Sequence, residues 1–262
     1  MRADLAARTS EGILTCSDRR LRTTLDRLYN DGRRVIVSTP GANVGAVSKT
    51  LEDLIGQGTK RWVVLSHTDS VDRSNGCGWA ARLEMELAAG QDRSTVHARY
   101  IGAATLEKFA QLGCTTRADI EGANAAVQAA ALQEILAGSG GRAERSLTLD
   151  TAYIVTDQLM APGLVVTLPS VVKYSSLTGR LNANGGSSLE PDNTYYLQVC
   201  HLEEALAGAR LLVGAVGIKD VRLVALSEKD NELMAHWASR FQTETFMKAV
   251  GLTYLKWQGM PA

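Results

Sequence analysis

Short apolar runs alternate with helically spaced apolar residues along the first 110 positions. Residues 12–18 carry Ile13, Leu14 and Cys16 in an unbroken run, which predicts a strand. Leu21, Leu25 and Leu28 follow at i, i+4, i+7, one face of a helix. Residues 34–38 read as a second buried strand. Val44, Val47, Leu51 and Leu54 then return to helical spacing, with Gly58 as the stop. Residues 61–66 predict a third strand, and 78–87 a helix with Trp79, Leu83 and Leu87 on one face. A fourth strand is expected at 95–101 and an Ala-rich helix at 115–138. Further strands are expected at 153–156, 164–168, 195–199 and 221–226. Helices are expected at 202–216, stopped by Gly217, and over the tail from about 228 to 250.

Strands with no polar face, each followed by a helix, are the mark of a parallel sheet covered on both sides. The chain therefore reads as α/β, with a mainly parallel central sheet flanked by helices. The last strand can join the same sheet. The 262 residues then form a single domain with a β-rich insertion at about 140–194 and a helical tail from about 228. No internal repeat is evident in the residues.

Composition narrows the function classes. Lys plus Arg and Asp plus Glu are 28 each, so the net charge is zero. Nonspecific nucleic-acid binding needs a basic excess, so no nucleic-acid partner is expected. The arginines between Arg19 and Arg34 read as a solvated helix face. Ser48-Lys49-Thr50 lacks the glycine that a phosphate-binding loop places before its lysine. No apolar stretch is long enough to span a membrane, and the first residues carry no apolar signal run. A cytoplasmic chain with reduced thiols is the expectation. The four cysteines, Cys16, Cys77, Cys114 and Cys200, are too few for a disulfide scaffold.

The chemistry sits where the strands end. The first strand runs into Cys16-Ser-Asp18-Arg-Arg20, the third into His67-Thr-Asp69, and Gly76-Cys77-Gly78 opens a helix. Ligand sites of parallel sheets lie off the carboxyl ends of the strands. Cys16, His67 and Cys77 can converge there, and two thiolates with one imidazole make a metal site with an open fourth position. Arg20 is placed to hold the Asp18 carboxylate by a two-bond ion pair. Asp69 and Asp72 are open between supporting the site and capping a loop. Cys114 and Cys200 read as core thiols, and His201 stays open, with support of the site and proton transfer among its readings.

The run Gly-Ile-Leu-Thr-Cys16-Ser-Asp18-Arg-Arg20 resembles the Cys-x-Asp-x-Arg signature of the β-class carbonic anhydrases. Those enzymes place His and the second Cys close together, whereas His67 and Cys77 lie ten positions apart. That spacing is similar to the zeta class. Thr39-Pro40-Gly41 resembles its Met-Pro-Gly turn, His67-Thr-Asp69 its His-Gly-Asp, and Gly76-Cys77-Gly78 its Gly-Cys-Gly. The resemblance covers about 11–90 well and 195–226 loosely.

It implies a β-carbonic-anhydrase-like fold in which Cys16, His67 and Cys77 bind zinc, with cadmium or another divalent metal as the alternative. A Cys2His-bound metal hydroxide would hydrate carbon dioxide to bicarbonate, with Asp18 and Arg20 as the catalytic pair. In such relatives the same Asp can instead close the fourth metal position. The neutral chain suits a small neutral substrate, and a homo-oligomer is compatible with the resemblance. Two rivals share the scaffold: a carbon disulfide or carbonyl sulfide hydrolase, and a non-catalytic metal-binding assembly component.

Overall fold

A computed structural model describes residues 9–28, 32–69, 77–89, 101–150, 162–171 and 194–257. Eight strands form one sheet. They are β1 (Glu11–Cys16), β2 (Arg34–Thr39), β3 (Arg61–Thr68), β4 (Arg142–Asp150), β5 (Gly163–Thr167), β6 (Thr194–Gln198), β7 (Asp220–Val224) and β8 (Gly251–Leu255). Their order is β4-β3-β1-β2-β6-β5-β7-β8. Every neighbouring pair is parallel except β2 and β6, which meet antiparallel where Ser38 faces Gln198. The mainly parallel α/β architecture expected from the apolar runs is present.

Parallel strands need crossovers, and helices supply them. The described helices are α1 (Arg22–Leu28), α2 (Ser48–Gly56), α3 (Gly78–Ala89), α4 (Ala103–Gln111), α5 (Arg117–Leu136), α6 (Leu202–Val216) and α7 (Asn231–Thr243). Leu51 and Leu54 of α2, Leu206 of α6 and Trp237 of α7 join Leu14, Val64 and Val166 in one apolar cluster. Leu25 of α1, Leu83 of α3 and Phe109 of α4 join Ile13, Leu65 and Val165 in the other. Successive strand residues thus enter opposite clusters, which is why these strands show no polar face. Each buried leucine contributes about 1.5–3 kcal/mol, so the two clusters fix the sheet firmly.

The sheet divides at the β2–β6 junction into two halves of the same topology. Outward from the junction, each half runs second strand, first strand, third, fourth. The registers correspond as well. Leu14 lies between Val37 and Val64, and Val166 between Leu197 and Leu223. An approximate twofold through the junction therefore relates residues 11–150 to 163–255, a repeat of topology that the sequence does not display.

Residues 142–150 and 163–167, inside the stretch expected as an insertion, are β4 and β5 of this same sheet. The tail beyond 228 is α7 flanked by short 3-10 turns, and β8 then closes the sheet edge. The strand expected at 153–156 lies outside the described residues. So does nearly all of that at 95–101, whose last residue, Ile101, is helical. Among the described residues no helix is long and apolar enough to cross a membrane.

Candidate metal centre

Neighbouring parallel strands end at one edge, so β1 and β3 deliver their last side chains to the same place. Cys16 is the last residue of β1, His67 the penultimate residue of β3, and Cys77 immediately precedes α3. Their ligand atoms all lie within 4.8 Å of one another. The two sulfurs are 4.0 Å apart. Relative exposures are 6% for Cys16, 1% for His67 and 4% for Cys77, so water does not solvate the cluster.

Buried polar atoms ordinarily have partners, and leaving one without costs about 1–3 kcal/mol. Neither ring nitrogen of His67 makes a hydrogen bond. A buried imidazole with an idle nitrogen beside two thiols is the arrangement a metal ion would satisfy. The residues fit such an ion by donor type, spacing and burial, and the group can hold one. The thiols are already unequal. The contact with Cys16 pulls the Cys77 thiol well down against the opposing effect of burial, and the charge of His67 assists. The same contact, with burial, pushes Cys16 up.

Asp18 and Arg20 border this cluster. Arg20 Nε donates to Asp18 Oδ1 at 3.0 Å and Nη2 to Oδ2 at 2.9 Å. The backbone N–H of Arg20 adds a third bond to Oδ1 at 2.9 Å. Asp18 Oδ2 lies 3.6 Å from His67 Nε2. Burial alone would raise the Asp18 carboxyl, but His67 and Arg20 hold it well below the usual carboxylate range. Burial likewise opposes the charge on His67. Cys77 and Asp18 outweigh it and raise the imidazole above its ordinary value. The remaining Arg20 nitrogen, Nη1, donates to Asp69 Oδ2 at 3.2 Å. Asp69 lines a pocket of about 420 Å3, together with Thr68, Glu84, Arg117, Glu121 and Thr148. Asp72 and Gly76 lie outside the described residues.

The turn after β2 completes the surroundings. Gly41 has φ of 70° and Ala42 φ of 53°, two successive left-handed residues. The left-handed conformation is costly for alanine and free for glycine. It turns the Gly41 N–H onto Cys16 Sγ at 3.2 Å. A Cβ at Gly41 would also fall 2.1 Å from the Trp79 ring, so the position requires glycine twice over.

The other singled-out residues lie apart from the centre. Cys114 is buried below α4. Cys200, expected in the core, is only half-buried, because β6 has ended and its backbone N–H reaches across to Thr50 Oγ1 at 2.7 Å. His201 Nε2 meets Asp53 Oδ2 at 3.0 Å, a contact between α2 and the start of α6. Glu121, Asn124 and Gln128 of α5 support the site loops, although no motif in the sequence singles them out. Their signal was three polar residues recurring on one side of an Ala-rich helix.

No known protein-family model matches the chain, and no curated protein matches its sequence significantly.

Proposed function

We propose that the chain is a metal-dependent carbonic anhydrase that reversibly hydrates carbon dioxide to bicarbonate, with zinc held by Cys16, His67 and Cys77. One observation carries the reading. An arginine-clamped carboxylate lies 3.6 Å from the imidazole of a buried Cys-Cys-His group. A purely structural metal site has no use for a buried anion beside its ligands, because burying that anion is expensive.

Zinc suits the donors. Tetrahedral bonds of ~2.3 Å would put two sulfurs about 3.8 Å apart, close to the 4.0 Å observed. Cadmium, a softer ion, is the alternative that two thiolates would accept. A metal held by Cys16, His67 and Cys77 would supply Lewis acidity, lowering the pKa of a water molecule towards neutral.

The chain's own residues do the rest. Asp18 is anionic because Arg20 occupies both of its oxygens. The attacking water first gives up one proton to bulk buffer. An ionised carboxylate is an acceptor only, so Asp18 takes a hydrogen bond from the O–H that remains. A lone pair of the resulting hydroxide is thereby directed at the carbon of the substrate, and the new C–O bond forms as one C=O π pair moves onto oxygen to give bicarbonate. Arg20 fixes the carboxylate plane by its two-bond grip and is itself braced by Asp69. Carbon dioxide is small and neutral, and a chain of zero net charge is adequate for it. Free thiols of this kind belong to the reducing cytoplasm, and that is the compartment we assign.

The test pairs metal analysis with stopped-flow hydration. Purified protein should carry about one zinc per chain and accelerate the acidification of a carbon dioxide solution over the uncatalysed rate. Cys16→Ser or Cys77→Ser should lose metal and activity together. Asp18→Asn should keep the metal and lose the rate. Full activity without metal would overturn the proposal. Hydrogen sulfide release from carbonyl sulfide in place of bicarbonate formation would move the chain to the hydrolase class.

A further inference from the structure

Helix α5 contains three polar residues that a solvated helix face would not bury. Glu121, Asn124 and Gln128 are each at most 4% exposed. At 3.6 residues per turn, these positions fall on one stripe. Each makes a bond to the loops around the metal centre. Glu121 Oε1 accepts the backbone N–H of Cys77 at 2.6 Å, and Oε2 accepts the Thr68 hydroxyl at 2.7 Å. Arg117, one turn earlier, lies 3.2 Å from Oε1. Asn124 Nδ2 donates to the Gly41 carbonyl at 2.8 Å. Gln128 Oε1 accepts the Val44 N–H at 2.9 Å, while its Nε2 donates to Asn124 Oδ1 at 3.2 Å.

Thr68 directly follows His67. The Glu121 carboxylate therefore ties the strand that carries one ligand to the peptide of another. It thereby joins, across space, two ligands that lie ten positions apart in the chain. Asn124 acts on the third ligand. It holds the carbonyl of Gly41, whose N–H meets Cys16 Sγ at 3.2 Å. A buried carboxylate that spends its lone pairs on a peptide, a hydroxyl and a guanidinium is fully compensated, so it can serve as a rigid strut.

We propose that the Glu121–Asn124–Gln128 stripe of α5 is the positioning device of the metal centre. Glu121 sets the separation of His67 and Cys77, and Asn124 sets the hydrogen bond that Cys16 receives. This rests on reading the Cys-Cys-His group as a metal centre and does not depend on the reaction performed there.

The experiment measures zinc affinity of the full chain by chelator competition, and the sulfur-to-metal charge-transfer band of the cobalt-substituted protein. Glu121→Ala should weaken zinc binding about 10–100-fold. Glu121→Gln should stay close to the parent, since an amide can accept from Cys77 N–H and donate to the Thr68 hydroxyl. Thr68→Val removes one arm of the strut and should give an intermediate loss; it decides the matter if Glu121→Ala does not fold. Asn124→Ala should move the cobalt band to lower energy, because a thiolate without its hydrogen bond gives up electrons more readily. Parent-like affinity in both Glu121→Ala and Thr68→Val overturns the strut. A glutamine variant as weak as the alanine one also overturns it, in favour of charge alone. An unmoved band in Asn124→Ala overturns the second arm. A parent chain that takes up no zinc removes the metal centre and this inference together, whereas one that binds zinc and leaves carbon dioxide untouched removes only the proposed reaction.

Discussion

The two halves of the sheet share strand order and register, yet among the described residues the group able to hold a metal lies in the first half alone. Two residues past Leu14 stands Cys16; two past its counterpart Val166 stands Leu168. Three past Val64 stands His67; three past Leu223 stands Leu226. The two ligands at strand ends, Cys16 and His67, are thus answered by leucines in the second half. The connections differ too. Between β2 and α2 the chain spends residues 40–47 on two tight turns, and these bring Gly41 to Cys16. Between β6 and α6 it passes almost directly from strand to helix, with His201 at the helix start in an extended conformation. One framework thus supports a Cys-Cys-His group beside the long β2–α2 connection, whereas the corresponding strand ends of the second half carry Leu168 and Leu226 and bury Thr167, Ser170 and Gln198 instead. The second half in turn meets the first where Ser38 faces Gln198 and Ile36 pairs with Ser170, so β2 is interior to the sheet.

The sharpest way to break this comparison is to give the first half the residues of the second. Cys16→Leu with His67→Leu should abolish metal binding and reduce carbon dioxide hydration to background. The metal-free fold should survive, because two buried polar side chains give way to apolar ones of the kind the second half tolerates. Zinc analysis, stopped-flow hydration and a melt of the metal-free protein check all three. Loss of the fold in this variant would mean that the halves are not interchangeable at these positions.

Gly41→Ala comes next. Its Cβ would enter the Trp79 ring in a left-handed backbone, so a cost of about 2–4 kcal/mol is expected. Urea unfolding measures it. The corresponding point of the second half is already extended at His201, with φ of −118°. His201→Ala should therefore cost far less, limited to the loss of its contact with Asp53.

A smaller effect follows from the reverse exchange. Leu226→His places an imidazole at the position that matches His67, with Leu168 at the position that matches Cys16. It should add no metal and cost about 1–2 kcal/mol of stability, the lost burial of a half-covered leucine. A gain in zinc content would show that the second half retains a latent site.

The parts of this picture that could be read from residues are those where a strand lies in the middle of the sheet. β1, β2 and β3 are covered on both faces, so their apolar runs are continuous and their ends, with Cys16 and His67, stand out. β4 and β8 lie at the sheet edges. An edge strand is paired on one side only and is commonly kept polar, as in Arg142-Ala-Glu-Arg-Ser-Leu. Such a strand has no run to recognise, which is why β4 passed for part of an insertion and β8 for tail. The repeat of topology was hidden for a related reason. Matched positions such as Leu14 and Val166 need only be apolar, and the metal-ligand candidates at the strand ends of the first half correspond to leucines at the matched positions of the second. Glu121 escaped notice because a polar residue in a helix normally faces water. Only the bonds to Cys77 and Thr68 give it a role.

The smallest expected effect lies on the seam between the halves. Glu204 of α6 accepts the N–H groups of Lys49 and Thr50 at 3.0 and 3.3 Å, capping α2 of the other half. Burial raises its carboxyl above the ordinary value of 4.5, though Thr50 and His201 pull in the opposite direction. A carboxyl that binds its proton more tightly when folded favours the fold while protonated. Its contribution is whole below pH 4.5 and is lost as pH rises through the elevated folded value. Glu204→Gln cannot ionise and should remove that decline. Melting temperatures of parent and variant, taken at steps from pH 4 upward, should therefore separate with the variant gaining relative to the parent as pH rises. A constant offset across the range would mean that Glu204 ionises on the seam as freely as in water. The two halves would then be joined there by the cap geometry alone.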